Sequence, residues 1–302
     1  MEGLSVSIAE LIVLAGAAQR VRCPPEGYAI RPGLHRSRVR GRGMDFAEAR
    51  NYQAGDEIRH MEWRVTARTG RPHVKVYQEE RERPVLLLVD FNPSMYFGTR
   101  VAYKTAVASR LAAILAWTAA KQGDRVGGLV YSADSHQECT PRTRQSGVLP
   151  LLGSLSAYSQ QTGAQQNENP NSFNQALLRA QRLVKPGSIL ILISDFYYVD
   201  QHSERLLNRL RAHNDVLAYH ICDPLELAPP APQRYAMTDG QSDLVIDTTL
   251  DPTRVDYQSY CEQRIARLSA QLQRLQIQYV QVTAQMNLAS LVKQTFPSRP
   301  RG

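Results

Sequence analysis

Asp90, Asn92 and Ser94 stand at alternate positions directly after the run Val85-Leu86-Leu87-Leu88-Val89. A second acid, Asp195, comes just after Ile189-Leu190-Ile191-Leu192-Ile193, and Asn171 and Ser172 open the helix predicted before that run. Two carboxylates, an amide oxygen and hydroxyls suit a hard cation such as Mg²⁺, with Mn²⁺ as its substitute, because such ions take oxygen ligands and keep several waters. No nitrogen or sulfur ligand is close in sequence, which argues against zinc or copper. Asp and Asn after strands also serve as plain helix caps, so a metal-free structural role is the competing reading. Ser94 lacks the GxSxG elbow of a nucleophile. His136, His202 and His220 could approach it only through folding. There is no GxxxxGK[ST] loop to grip phosphate and no general base in the local sequence. The residues therefore point to binding, and a Mg-dependent hydrolase is the weaker alternative.

Such a set is useful only if strands deliver it to one place. The two apolar runs have the continuous branched composition of strands buried on both faces of a parallel sheet. Further strands are predicted at residues 126–131, 216–221 and 279–282, with a short one at 244–247 in an excursion. Helical spacing marks residues 101–122, 147–157, 173–184, 203–213, 253–275 and 288–296. Strand and helix alternate, so the expected fold is α/β, a doubly wound, mainly parallel sheet with an N-terminal helix/strand extension. Ligands of such sheets bind outside the carboxyl ends of the strands, where Asp90 and Asp195 fall. The chain has 302 residues, 43% of them hydrophobic, enough for one large core. The expected domains are residues 1–83, the basic extension, and 84–302, the α/β domain.

Within the extension, an amphipathic helix is expected at residues 8–18. It is far short of the roughly 20 apolar residues of a membrane span, and it lacks the basic lead of a signal peptide. Residues 31–42 then carry five arginines and no acid. Arg36, Arg38, Arg40 and Arg42 are the candidates for docking an acidic partner, in keeping with a net charge of +8. The run lacks aromatic residues to stack on bases, which argues against nucleic acid. Asp56, Arg59, Glu62 and Arg64 are expected to form an ion-pair network around Trp63, and residues 74–79 a strand. Scattered cysteines, without CxxC spacing, suit a reducing compartment and a cytoplasmic location.

A strand that ends in Asp-x-Ser-x-Ser, with a later Thr and a later Asp, is the metal-ion-dependent adhesion site of von Willebrand factor type A domains. Asp90, Ser94 and Asp195 match its first Asp, last Ser and final Asp. Asn92 replaces the middle Ser, and Asn171 or Ser172 stands for the Thr. The whole chain resembles the domain of unknown function 58 family. The resemblance rests on Gly41-Arg42-Gly43-Met44-Asp45-Phe46, Gly55-Asp56-Glu57-Ile58-Arg59-His60-Met61-Glu62-Trp63, Gly123-Asp124-Arg125-Val126-Gly127, Ile193-Ser194-Asp195-Phe196 and Asp223-Pro224-Leu225-Glu226. It implies a type A-like domain whose ion leaves a position open for a partner's acidic side chain. It also implies a non-catalytic adaptor or chaperone-like role beside a MoxR-type AAA+ ATPase. A metal-free scaffold and a nucleic-acid-binding protein are the other readings.

Overall fold

A computed structural model describes residues 3–20, 44–53, 56–79, 83–161, 168–238 and 243–296. The chain divides into two compact units, Met1–Arg22 with Arg83–Phe296, and Cys23–Glu82 with Pro297–Gly302. The expected N-terminal helix is two short ones, α1 (Ile8–Val13) and α2 (Ala15–Arg20). Ser7 caps α1 by accepting a hydrogen bond from the Glu10 amide at 3.2 Å. Both helices belong to the larger unit, so the expected division at residue 83 misplaces them. The reason is their hydrogen bonding: the Val6 amide donates to Ser159 Oγ at 3.2 Å, and Trp117 Nε1 donates to the Leu11 carbonyl at 3.1 Å.

In the smaller unit, β1 (Met44–Asn51) pairs antiparallel with β2 (His73–Glu79), with a bulge between Phe46 and Glu48. Between them α3 (Trp63–Thr69) is capped by Glu62 and ends on Gly70, whose φ of 70° is the left-handed turn that glycine tolerates. The sequence reading found β2 but neither β1 nor α3. Two of the acids expected in the network around Trp63, Asp56 and Glu62, form ion pairs. Arg50 grips Asp56 with two bonds of 2.7 and 2.8 Å, and Lys75 meets Glu62 at 3.0 Å. Trp63 itself is 65% exposed.

The larger unit is built on β3 (Pro84–Asp90), α4 (Lys104–Lys121), β4 (Arg125–Tyr131), β5 (His136–Thr143), α5 (Gln145–Ser159), α6 (Ser172–Leu183), β6 (Ile189–Ser194), α7 (Gln201–Arg211) and β7 (Asp215–Cys222). The hairpin β8 (Arg234–Thr238) and β9 (Asp243–Asp247) follows, then α8 (Asp251–Arg274), β10 (Gln278–Thr283) and α9 (Leu288–Thr295). The sheet order is β10-β7-β6-β3-β4-β5, parallel except for β5 at one edge. This is the expected doubly wound α/β fold. Leu86, Leu88, Leu190 and Leu192 share one core cluster with Leu177 of α6, Leu206 and Leu210 of α7, and Leu268 and Leu272 of α8. Each such leucine contributes roughly 2 kcal/mol on burial. Strand periodicity sends Val85, Leu87 and Val89 to the opposite face.

There α4 is buried on nearly every side, as its alanine-rich sequence permits. It starts three residues later than expected, because Tyr103 is extended, with ψ 151°. Lys104 thereby becomes its first residue. Away from the sheet, α4 is tied to α1 by the Trp117 bond and by Arg110 Nε, which donates to Glu10 Oε1 at 2.6 Å.

Candidate functional site

The strand register aligns the carboxyl ends of β3, β6 and β7, with Val89 beside Ile193 and Ser194 beside His220. Asp90 and Asp195 are delivered there and are almost fully buried, at 2% and 1% exposure. Asp90 Oδ1 accepts from the Asn92 amide at 2.8 Å and from Asn92 Nδ2 at 2.7 Å, and its Oδ2 accepts from Ser194 Oγ at 2.6 Å. Burial, and then the charge of Asp195, push the Asp90 carboxyl up to about 7. Its hydrogen bonds act in the opposite direction and do not offset them.

Asp195 sits in a different field. Its Oδ2 accepts from Lys104 Nζ at 2.9 Å and its Oδ1 from the Tyr197 amide at 3.1 Å. Burial alone would raise this carboxyl, but the Lys104 charge and hydrogen bond outweigh burial and leave it below the ordinary carboxylate value. Lys104 is itself only 3% exposed and donates a second bond, 2.8 Å long, to Glu226 Oε1. Arg264 of α8 adds a second cation, with Nη1 at 3.6 Å from Glu226 and Nη2 at 3.3 Å from the Asp195 carbonyl. Its guanidinium also stacks over the Tyr197 ring at 5.3 Å.

Local geometry explains how these groups are held. Phe196 has φ 53°, a conformation uncommon for a bulky side chain and costing of order 1–3 kcal/mol. Its amide is held by Ser194 Oγ at 2.8 Å, and its ring packs edge-on against Phe173 of α6 and against His220. Glu226 lies in a short turn with a reciprocal cap: the Leu225 amide donates to Asp223 Oδ1 and the Asp223 amide to Glu226 Oε2. Asp223 also accepts from the Thr99 amide at 2.9 Å and from Thr99 Oγ1 at 2.7 Å, which joins this turn to the loop after β3.

Of the expected metal ligands, Asp90, Asn92, Ser172 and Asp195 are buried and Ser94 is half-buried with its Oγ out of water, whereas Asn171 is exposed at the start of α6. Of the Asn171 and Ser172 alternatives, Ser172 is the buried side chain. Asn92 Oδ1, Ser94 Oγ and Ser172 Oγ are buried without a full hydrogen bond, as atoms awaiting a ligand would be, although Ser94 lies close enough to Asp195 to lower its pKa. The carboxylates do not match the expectation. Asp195 is already neutralised by Lys104, and both oxygens of Asp90 are engaged. Among the described residues, no three of His, Cys, Asp and Glu are grouped as a metal ion would need. With Lys104 in place, the donor set does not fit a resident Mg²⁺ ion, which prefers anionic oxygens with free lone pairs. Arg36, Arg38, Arg40 and Arg42 lie outside the described residues.

Residue types and spacing in the sequence single out neither Lys104 nor Arg264, and Glu226 stands only in the motif Asp223-Pro224-Leu225-Glu226 with no role attached. One signal was available for the lysine. No acid occurs between Asp90 and Asp124, so Lys104 has no partner within its own helix.

The chain is similar to several known proteins. The uncharacterized protein Rv1480 of Mycobacterium tuberculosis is 29% identical over 224 residues, 74% of this chain and 69% of its own length. The crystal structure of the conserved hypothetical protein BatB from Bacteroides thetaiotaomicron matches with 13% identity and a TM-score of 0.41, covering 70% of this chain and 96% of that one. An aerotolerance-related membrane protein from Bacteroides fragilis gives 14% identity, a TM-score of 0.43 and the same coverages. The family described as "Protein of unknown function DUF58" matches residues 48–267, most of the chain, and the chain belongs to that family.

Proposed function

We propose that this protein is a non-catalytic interaction module that docks an acidic surface of a partner, a MoxR-type AAA+ ATPase. The observation that carries the reading is the engagement of the charged strand-end side chains with one another and with their neighbours. Asp90 accepts from Asn92 and from Ser194, and Lys104 donates to Asp195 and to Glu226, so the charged groups brace loops rather than activate a nucleophile. His220, which folding brings beside Ser194, has its Nδ1 in a 2.7 Å contact with the Tyr279 hydroxyl. Burial, then the Arg264 charge, push the imidazole down to about 4, which leaves it neutral near pH 7.

The braces fix the loops after β3, β6 and β7 as one rim. Arg100 and Tyr197 are exposed on it, a cation and an aromatic suited to an acidic partner. The family resemblance supplies the ATPase as the partner, and the arginine-rich segment a second contact. The cytoplasm is the proposed compartment, which suits the free, buried thiols of Cys139, Cys222 and Cys261.

The test is a binding titration against a purified MoxR-type ATPase. Joint charge reversal of Arg36, Arg38 and Arg40 to Glu should weaken binding about tenfold or more, chiefly through the association rate. Arg100→Glu with Tyr197→Ala should weaken it as well. Affinity unchanged in both variants would remove the docking reading.

A further inference from the structure

We infer that Lys104 is the resident cation of the strand-end site, a tethered ammonium that bonds Asp195 and Glu226 where a divalent ion would otherwise neutralise the strand-end acid. Two features of its placement ask for an explanation. A lysine is among the residues least often buried, yet this one is 3% exposed. It is also the first residue of α4, and a helix N-terminus carries partial positive charge that disfavours a cation. Both costs are met by two carboxylates at 2.9 and 2.8 Å, contributed from β6 and from the turn after β7. The ammonium thus links three elements distant in sequence, the task a metal ion performs when its ligands come from several loops.

The orphaned oxygens fit the same account. Asn92 Oδ1 and Ser172 Oγ are buried and unbonded, and Ser94 Oγ lies out of water beside Asp195, a neutral half of a donor set whose anionic half is already taken by Lys104. Removing the ammonium should therefore open a divalent site that the natural chain does not have. The inference concerns the site on which the docking proposal rests. Its readout is metal binding alone, so either can fail without the other.

The experiment is calorimetric and electron-spin-resonance titration of the full chain with Mn²⁺, accompanied by thermal melts in EDTA and in millimolar Mn²⁺. The natural protein should give no stoichiometric binding and a Tm that Mn²⁺ leaves unchanged. Lys104→Ala should bind one Mn²⁺ at least about tenfold more tightly than the natural chain, with a Tm that rises with the metal. If that variant fails to fold, Lys104→Ala with Glu226→Gln keeps the net charge of the site and should gain the same metal response. Adding Asp195→Asn to either variant should abolish it. Stoichiometric Mn²⁺ binding by the natural chain would overturn the inference. So would a folded Lys104→Ala/Glu226→Gln variant whose melt and titration ignore the metal.

Discussion

Two ion pairs of nearly equal length show how little distance alone decides. In the smaller unit Arg50 holds Asp56 through two bonds of 2.7 and 2.8 Å, with the arginine side chain 41% exposed. In the larger unit Lys104 holds Asp195 and Glu226 at 2.9 and 2.8 Å, with the lysine and Asp195 almost wholly out of water. The surface pair has ideal fork geometry, but water and salt screen it. Lys104 and Asp195 have no such screening, and either charge would be stranded without the other. Water access, more than geometry, separates a local clasp from an element on which the site depends.

The strongest way to break this comparison is Lys104→Ala. Leaving Asp195 uncompensated should cost about 3–5 kcal/mol of stability, read as a lower urea midpoint in metal-free buffer. A midpoint equal to that of the natural chain would mean that the buried pair contributes no more than a surface one.

A second test uses pH. The folded chain holds the Asp90 proton more tightly than the unfolded chain does, since the carboxyl is raised from 3.8 to about 7. Its contribution is present at low pH and is lost as pH rises through about 7. Asp195 is lowered and works in the opposite sense, contributing stability above the ordinary carboxylate value that is lost as pH falls through its folded pKa. Asp90→Asn should therefore flatten the decline in stability between about pH 4 and about pH 7. A slope identical to that of the natural chain would show that Asp90 does not titrate in that window.

The smallest effect is expected from Arg50→Ala. Its urea midpoint should be inseparable from that of the natural chain in high salt. A large loss there would erase the contrast.

The sequence made some of this plain and hid the rest for definite reasons. β3 and β6 were legible because every position from Val85 to Val89 and from Ile189 to Ile193 is buried, which forces an unbroken apolar run. β5 was not. It is an edge strand with a largely exposed sequence from His136 to Thr143, and it contains Pro141, so neither alternation nor hydrophobicity marks it. β1 (MDFAEARN) carries four charged or amide side chains among its eight residues, and α3 and β8 are short, at seven and five residues. The oxygens of Asp90, Asn92, Ser94, Ser172 and Asp195 could be singled out because their residue types advertise ligation. Lys104 could not, because its partners lie 91 and 122 residues away and only the register of the sheet brings them together.

The bond from Trp117 to the Leu11 carbonyl has a spectroscopic consequence. The chain has two tryptophans, and the structure assigns one to each unit: Trp63 exposed, Trp117 half-buried beneath α1. Replacing Trp63 with phenylalanine would leave a single indole whose emission reports directly on the seating of the first helix. A red shift that precedes the loss of circular dichroism would show α1 leaving α4 while the sheet still stands.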